Sequence, residues 1–171
     1  EAEARAAMTA ALQAGHALLT QGKPAPEAVA AAITVLEDSP QFNAGKGAVF
    51  THDGRNELDA AIMDGASGKA GAIAGVHRVK NPILLAKAVM DHSQHVMMVG
   101  DGAEVFAREQ GIALVDPSYF RTEKRWQQLQ QALKEDRLGL AHEDLATAKH
   151  FGTVGALALD GAGRLAAGTS T

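Results

Sequence analysis

Apolar positions recur at helical spacing from the start of the chain. Ala7, Ala11, Ala14 and Leu18 form a small-residue stripe that predicts a helix over 4–19, closed by Gln21-Gly22-Lys23-Pro24. Pro26, suited to a first helical turn, opens a second helix that turns Ala28, Val29, Ala32, Ile33 and Leu36 inward. The period then breaks into Asp/Ser/Pro/Asn/Gly turn chemistry over 37–46. Strands are expected over 47–51 and 57–63 around a turn at 52–56, and a third strand of tiny residues over 70–76. Asn81 as cap and Pro82 at the first position predict a helix to about residue 90. A short apolar strand follows over 95–99, and Asp101-Gly102-Ala103-Glu104 has the spacing of a capping box for a helix to 109. Pro117 opens a further helix through 134, with Phe120, Trp126, Leu129 and Leu133 as its packing stripe. Over 135–150 charges, glycine and Ala/Thr residues replace that period, the signature of a flexible linker. Period-two alternation then runs over 150–160, meets the turn Asp160-Gly161-Ala162-Gly163, and returns as a strand over 165–171. Helices, strands, helices and a closing hairpin make an α+β pattern.

Composition narrows the possible functions. At 171 residues the chain is long enough for one domain with a real core. A net charge of −4 favours no nucleic acid partner. The absence of cysteine removes disulfides, thiolate metal sites and a cysteine nucleophile. No apolar run is long enough to span a bilayer. No signal peptide is visible, which leads to the expectation of a cytoplasmic protein, although Glu1 need not be the natural start.

Several candidate chemistries fail on spacing. Asp59 and Asp64, five apart in a strand, point to opposite faces and share no acid–base dyad; they read as polar ends of a buried strand. His92 and His95 form a bare pair without further clustered ligands and read as solvated turn residues. His16 reads as a structural helix histidine, and Trp126 as core. Gly100-Asp101-Gly102 lacks the glycine spacing and lysine of a phosphate loop. The closing hairpin is different. With a four-residue loop Thr153 falls opposite Ser170, and with one bulge opposite Thr171, so the hydroxyls of Thr153, Thr169, Ser170 and Thr171 gather at its open end. Threonine is a poor nucleophile without a base beside it. Cleavage of the Gly152–Thr153 bond would free an α-amine of pKa near ~8 on Thr153, a base built into the same residue. Glycine at 152 leaves its carbonyl unhindered and tolerates a strained backbone. The plainer alternative is an ordinary strand, since Gly-Thr pairs are common.

The Phe151-to-Ala156 block, with Thr169-Ser170-Thr171 one strand later, resembles the cleavage region of plant-type (class 3) L-asparaginases, also called isoaspartyl peptidases, which are N-terminal-nucleophile (Ntn) hydrolases. Three more blocks resemble family hallmarks in the same order: 36–51 (LEDSPQFNAGKGAVFT), 57–65 (ELDAAIMDG) and 70–76 (AGAIAGV). The resemblance covers nearly the whole chain. It implies a four-layer αββα sandwich, self-cleavage at Gly152–Thr153 into a part over 1–152 ending in the linker and a part beginning with the hairpin over 153–171, and an (αβ)2 assembly. It implies hydrolysis of L-asparagine or β-aspartyl (isoaspartyl) dipeptides. Thr153 is then the nucleophile, Thr171 orients its hydroxyl, Thr169 supports the same network, and Asn43 lies at the substrate. No cofactor is implied for catalysis. The main-chain carbonyls of Leu36, Glu37, Ser39, Phe42, Ala44 and Lys46 match a structural sodium site, with a lysine ammonium unexpectedly close to it at 46. In the family a strand and glycine-rich turn precede the first helix. The oxyanion-hole Thr-Gly pair and the arginine and aspartate that grip the substrate belong to a second half beyond Thr171. The chain taken alone is therefore expected to be inactive. Two alternatives remain: a glycosylasparaginase of the same fold, whose nucleophile usually follows aspartate where Gly152 stands here, and a non-catalytic fragment that only packs against a partner.

Overall fold

The computed structural model describes residues 1–137 and 153–171. Helices α1 (Ala2–Thr20) and α2 (Ala25–Glu37) pack against each other; Ala11 of the predicted stripe is buried there, together with Gly15, which the stripe did not include. The strands are β1 (Leu58–Asp64), β2 (Ala70–Val76), β3 (Met97–Val99), β4 (Val154–Leu159) and β5 (Leu165–Ser170). They form one sheet in the order β3-β2-β1-β5-β4, antiparallel except for the β2–β3 pair. Helix α3 (Pro82–His92) makes the crossover between β2 and β3, α4 (Gly100–Glu109) follows β3, and α5 (Glu123–Arg137) comes later.

The strands alternate as a sheet covered on one side must. Leu58, Ala60 and Ile62 of β1 and Ala166, Gly168 and Ser170 of β5 are buried under α2 and α3. Their neighbours face the other way, and on that side Met63, Met97, Leu157, Leu159 and Leu165 are each at least half exposed. Among the described residues, then, the α+β architecture is one mixed sheet with helices on one face and a largely apolar open face opposite.

Four local expectations need correction. Residues 47–51 are not a strand. The chain makes a 3-10 turn at Gly45–Gly47, and asparagine side chains then take the place of a ladder partner: Asn43 Oδ1 accepts from Val49 N at 2.9 Å, and Asn56 Nδ2 donates to Ala48 O and Val49 O at 3.0 Å each. The helix expected from Pro117 through 134 is two pieces. Asp116 Oδ1 accepts from Ser118 N and caps the start of a short 3-10 turn at Pro117–Phe120, the chain turns extended at Arg121, and α5 begins after Thr122, whose Oγ1 accepts from Arg125 N. Asn81 stands at the N-cap of α3 with Pro82 next to it, as expected, but its side chain makes no cap hydrogen bond, and α4 starts at Gly100 behind Val99, so the box at Asp101–Glu104 is not made. Asn81 donates instead to Asp38, and Glu104 Oε1 accepts from His77 N and Arg78 N, at 2.7 and 2.9 Å. Finally, α5 runs to Arg137, so 135–137 of the expected linker are helical; the rest of that segment lies outside the described residues. Trp126 packs edge-on against Phe50 with the Arg121 guanidinium 4.0 Å above its ring, and His92 and His95 are exposed.

Candidate active site

The hairpin is set by Asp160. Its Oδ1 accepts from Ala162 N and Arg164 N, and its Oδ2 from Arg164 Nε at 2.9 Å and from Ala25 N, at the start of α2, at 3.3 Å. Asp160 N donates to Arg164 O, which leaves a three-residue loop with Gly163 at φ +76. That is a turn followed by a left-handed residue, the common three-residue hairpin. The expected four-residue loop is thus replaced, and the register changes with it. Val154 pairs with Ser170 and Gly155 with Thr169. One step further along, Thr153 comes level with Thr171 without any bulge.

Thr171 continues this row onto β1, where its N–H and C=O exchange hydrogen bonds of 2.9 and 3.1 Å with Asp59. Across the open face, Asp59, Thr171 and Thr153 therefore stand side by side on three strands. Thr169 lies two residues back on β5, about 7 Å along the strand. A concavity of about 330 Å³ includes Thr153, Thr169, Thr171 and Asp59, floored by alanines of β1 and β2. Asn43, buried, reaches in from the loop after α2 with Nδ2 3.4 Å from Thr171 Oγ1. The four side chains expected at the site are thus brought to one place. Gly152 and its bond to Thr153 lie outside the described residues.

The expected sodium carbonyls belong to the last two residues of α2, Leu36 and Glu37, and to the loop that leaves it. A Cβ built on Gly45 would stand 2.5 Å from Glu37 O, and one on Gly47 2.0 Å from Phe42 O, so these carbonyls crowd the loop interior. Leu36 O and Ala44 O each also accept one backbone N–H, from Ser39 and Gly47. Clustered main-chain carbonyls are a donor set that suits a hard cation. The Lys46 ammonium lies over the Tyr119 ring, 5.4 Å from its centre, so its charge is engaged there. Among the described residues no three His, Cys, Asp or Glu side chains form a metal-binding group.

Two side chains take places that the sequence reading did not give them. Asp59 sits exposed beside Thr171, with Oδ1 accepting from Gly75 N at 2.8 Å; its parity in the strand placed it on the right face, but nothing local named its neighbours. Asp64 is spent on its own turn, accepting from Ala66 N and Ser67, which agrees with the rejected dyad. Glu37 was read only through its carbonyl. Its side chain is fully buried, and Oε1 accepts from Ser170 Oγ at 2.7 Å and from Ile83 N, at the start of α3, at 2.9 Å. Burial pushes the Glu37 carboxyl up to about 7 against the pull of these hydrogen bonds.

The asparaginase family model matches the chain over residues 1–171. The chain belongs to this family. Similar relatives are the isoaspartyl peptidase of Escherichia coli (strain K12), 48% identical over 167 residues, covering 96% of this chain and 52% of the relative, and the plant-type L-asparaginase of Pyrococcus abyssi, 45% identical over 170 residues, covering 94% and 54%. The isoaspartyl peptidase/L-asparaginase of Mus musculus is 41% identical over 157 residues, covering 92% and 47%. The asparaginase-family chain thus spans about half the length of the curated relatives it matches. None of its described helices is long and apolar enough to cross a membrane.

Proposed function

We infer that this chain carries the nucleophile of a threonine amidohydrolase that releases L-aspartate from β-aspartyl peptides and L-asparagine. The observation that carries the reading is the hairpin register, which sets Thr153 level with Thr171 on one cavity within reach of Asn43. Thr153 Oγ attacks the Gly152 carbonyl carbon, the Gly152–Thr153 C–N bond breaks, and water opens the resulting ester. The new α-amine, with a pKa near ~8, is then the general base for turnover. It takes the hydroxyl proton as Thr153 Oγ attacks the substrate β-carbonyl, and delivers that proton to the departing amine. Water attacks the β-aspartyl ester, L-aspartate leaves, and the hydroxyl is restored.

The polar neighbours fit this sequence. Thr171 Oγ1 accepts from Asn43 Nδ2, so its single proton is left to donate across the strand to Thr153 Oγ. Thr169 supports the same network from one strand step away. The carbonyls of Leu36, Glu37, Ser39, Phe42, Ala44 and Lys46 would hold sodium, which would fix the loop that presents Asn43. The oxyanion donors and the groups that grip the substrate's α-carboxylate and α-amine come from the second half of the longer protein. That half also supplies the second sheet of the four-layer sandwich, laid on the open apolar face, within an (αβ)2 assembly.

The test is intact mass measurement on the full-length protein, fresh and after days at neutral pH, beside Thr153→Ala. Two fragments divided between Gly152 and Thr153 are expected in the wild type and none in the variant. Hydrolysis of a β-aspartyl dipeptide should fall on the order of 10⁴-fold or more in Thr153→Ala. A wild-type chain that stays whole would sink the activation step.

A further inference from the structure

The end of β5 is gripped from both sides. Its side chains alternate, so Thr169 and Thr171 face the cavity while Ser170, 1% exposed, points into the helical layer. There the Ser170 hydroxyl donates to Glu37 Oε1 at 2.7 Å, a short hydrogen bond to a carboxyl oxygen in a dry setting. The same oxygen accepts from Ile83 N at the start of α3, which holds the carboxyl group against a second element. On the cavity side the loop that follows Glu37 sends Asn43 to Thr171. The strand end therefore has its height and tilt fixed between α2, α3 and the 38–49 loop, at the place where sub-ångström displacement would spoil the alignment of three hydroxyls.

We propose that Glu37 is a positioning residue for the reaction at Thr153, acting through the Ser170 hydroxyl on the strand end that carries Thr169 and Thr171. This rests on the reading of Thr153 as nucleophile. The bland alternative is that Glu37 only caps α3 through Ile83. Ser170 separates the two roles, because Ser170→Ala leaves the bond to Ile83 untouched and removes only the link to β5.

The experiment uses the full-length protein as wild type, Ser170→Ala and Ser170→Thr, at a temperature below the melting range of all three. Turnover of a β-aspartyl dipeptide is measured per cleaved chain, with cleavage counted by intact mass. Ser170→Ala should lose about tenfold in kcat with KM within about twofold, and Ser170→Thr, which keeps the hydroxyl, should recover most of it. Loss of cleavage in Ser170→Ala that Ser170→Thr restores supports the proposal equally. Ser170→Cys, close in volume and a weak donor, is the second variant should alanine prevent folding, and is expected to fall as alanine does. An active wild type with Ser170→Ala within twofold in kcat would overturn the positioning role alone, as would equal losses in the alanine and threonine variants. A wild type that neither cleaves nor turns over would remove the Thr153 reading and this proposal with it.

Discussion

At the scale of single residues, Asp160 shows how one carboxylate organises a site it does not line. Both of its oxygens are occupied, by two N–H groups of the hairpin loop, by the Arg164 guanidinium and by the first N–H of α2. Burial alone would raise its pKa; the N–H groups of Arg164, Ala162 and Ala25 and the Arg164 side chain outweigh it and hold the carboxyl below its usual value. A carboxyl depressed in the folded state contributes stability above its unfolded pKa of about 3.9, and that contribution is lost as pH falls through the lower folded value. Asp160→Asn should therefore melt lower than wild type at pH 7, and the gap should narrow on acidification towards pH 2–3. A gap that stays constant in melting scans across that range would contradict this. Residues such as Thr153, Thr169, Thr171 and Asn43 were legible because their identities sit in short contiguous blocks. The Glu37 side chain was not, since its partner Ser170 lies 133 residues away and no spacing within a segment encodes that meeting.

At the scale of elements, the tiny residues of β2 and β5 are where helices come closest. A Cβ on Gly71 would lie 2.1 Å from Ala86 O and 2.5 Å from Met90 N, both backbone atoms of α3. A Cβ on Gly168 would meet its two nearest atoms in side chains of α2, Val29 Cγ1 at 2.9 Å and Ile33 Cδ1 at 3.1 Å, with the backbone Ala61 O further off at 3.2 Å. Backbone cannot yield as side-chain tips can. Gly71→Ala should cost roughly 3 kcal/mol or more through overpacking. Gly168→Ala should cost less, about 1–2 kcal/mol, since its closest contacts are side chains and alanine recovers about 0.5–1 kcal/mol of backbone entropy. Urea titration of the two variants checks the order, and equal midpoints would show that α3 shifts freely. The same contacts explain what was readable. Helical spacing located α1 and α2, the turn at 52–56 and a run of tiny residues located β1 and β2, and Asn81-Pro82 located the start of α3. Such local signals failed at 47–51 and at the two expected caps because the partners there are side chains from elsewhere: Asn43 and Asn56 for the first, Glu37 at the start of α3 for one of the others.

For the whole molecule, the dominant fact is a sheet with one apolar face uncovered among the described residues. Leu157 is 72% exposed and Val99 60%, and they share that face with Met63, Met97, Leu159 and Leu165. Monomeric proteins rarely leave such a patch open beyond roughly 300–600 Å². The 171-residue chain made alone should self-associate in sedimentation velocity and bind a hydrophobic dye strongly. Leu157→Lys combined with Met63→Lys should reduce both. A monodisperse, dye-silent monomer would rule out the face as a sticky surface. The composition, with 46% apolar residues, gave no hint of it, because alternation shows that a strand has two faces but not which is covered. Two buried carboxylates, Asp160 and Glu37, sit at opposite ends of α2. Asp160 pins the first residue of that helix to the hairpin turn, and Glu37 pins its last residue to the far end of β5. Twelve helical steps of 1.5 Å span about 18 Å, and the six strand steps from Arg164 to Ser170 span about 20 Å. Helix and strand thus act as two rulers clamped at both ends, graduated differently but matched to within about 2 Å in length. One residue more or fewer in this helix would rotate Glu37 by about 100° and release one clamp.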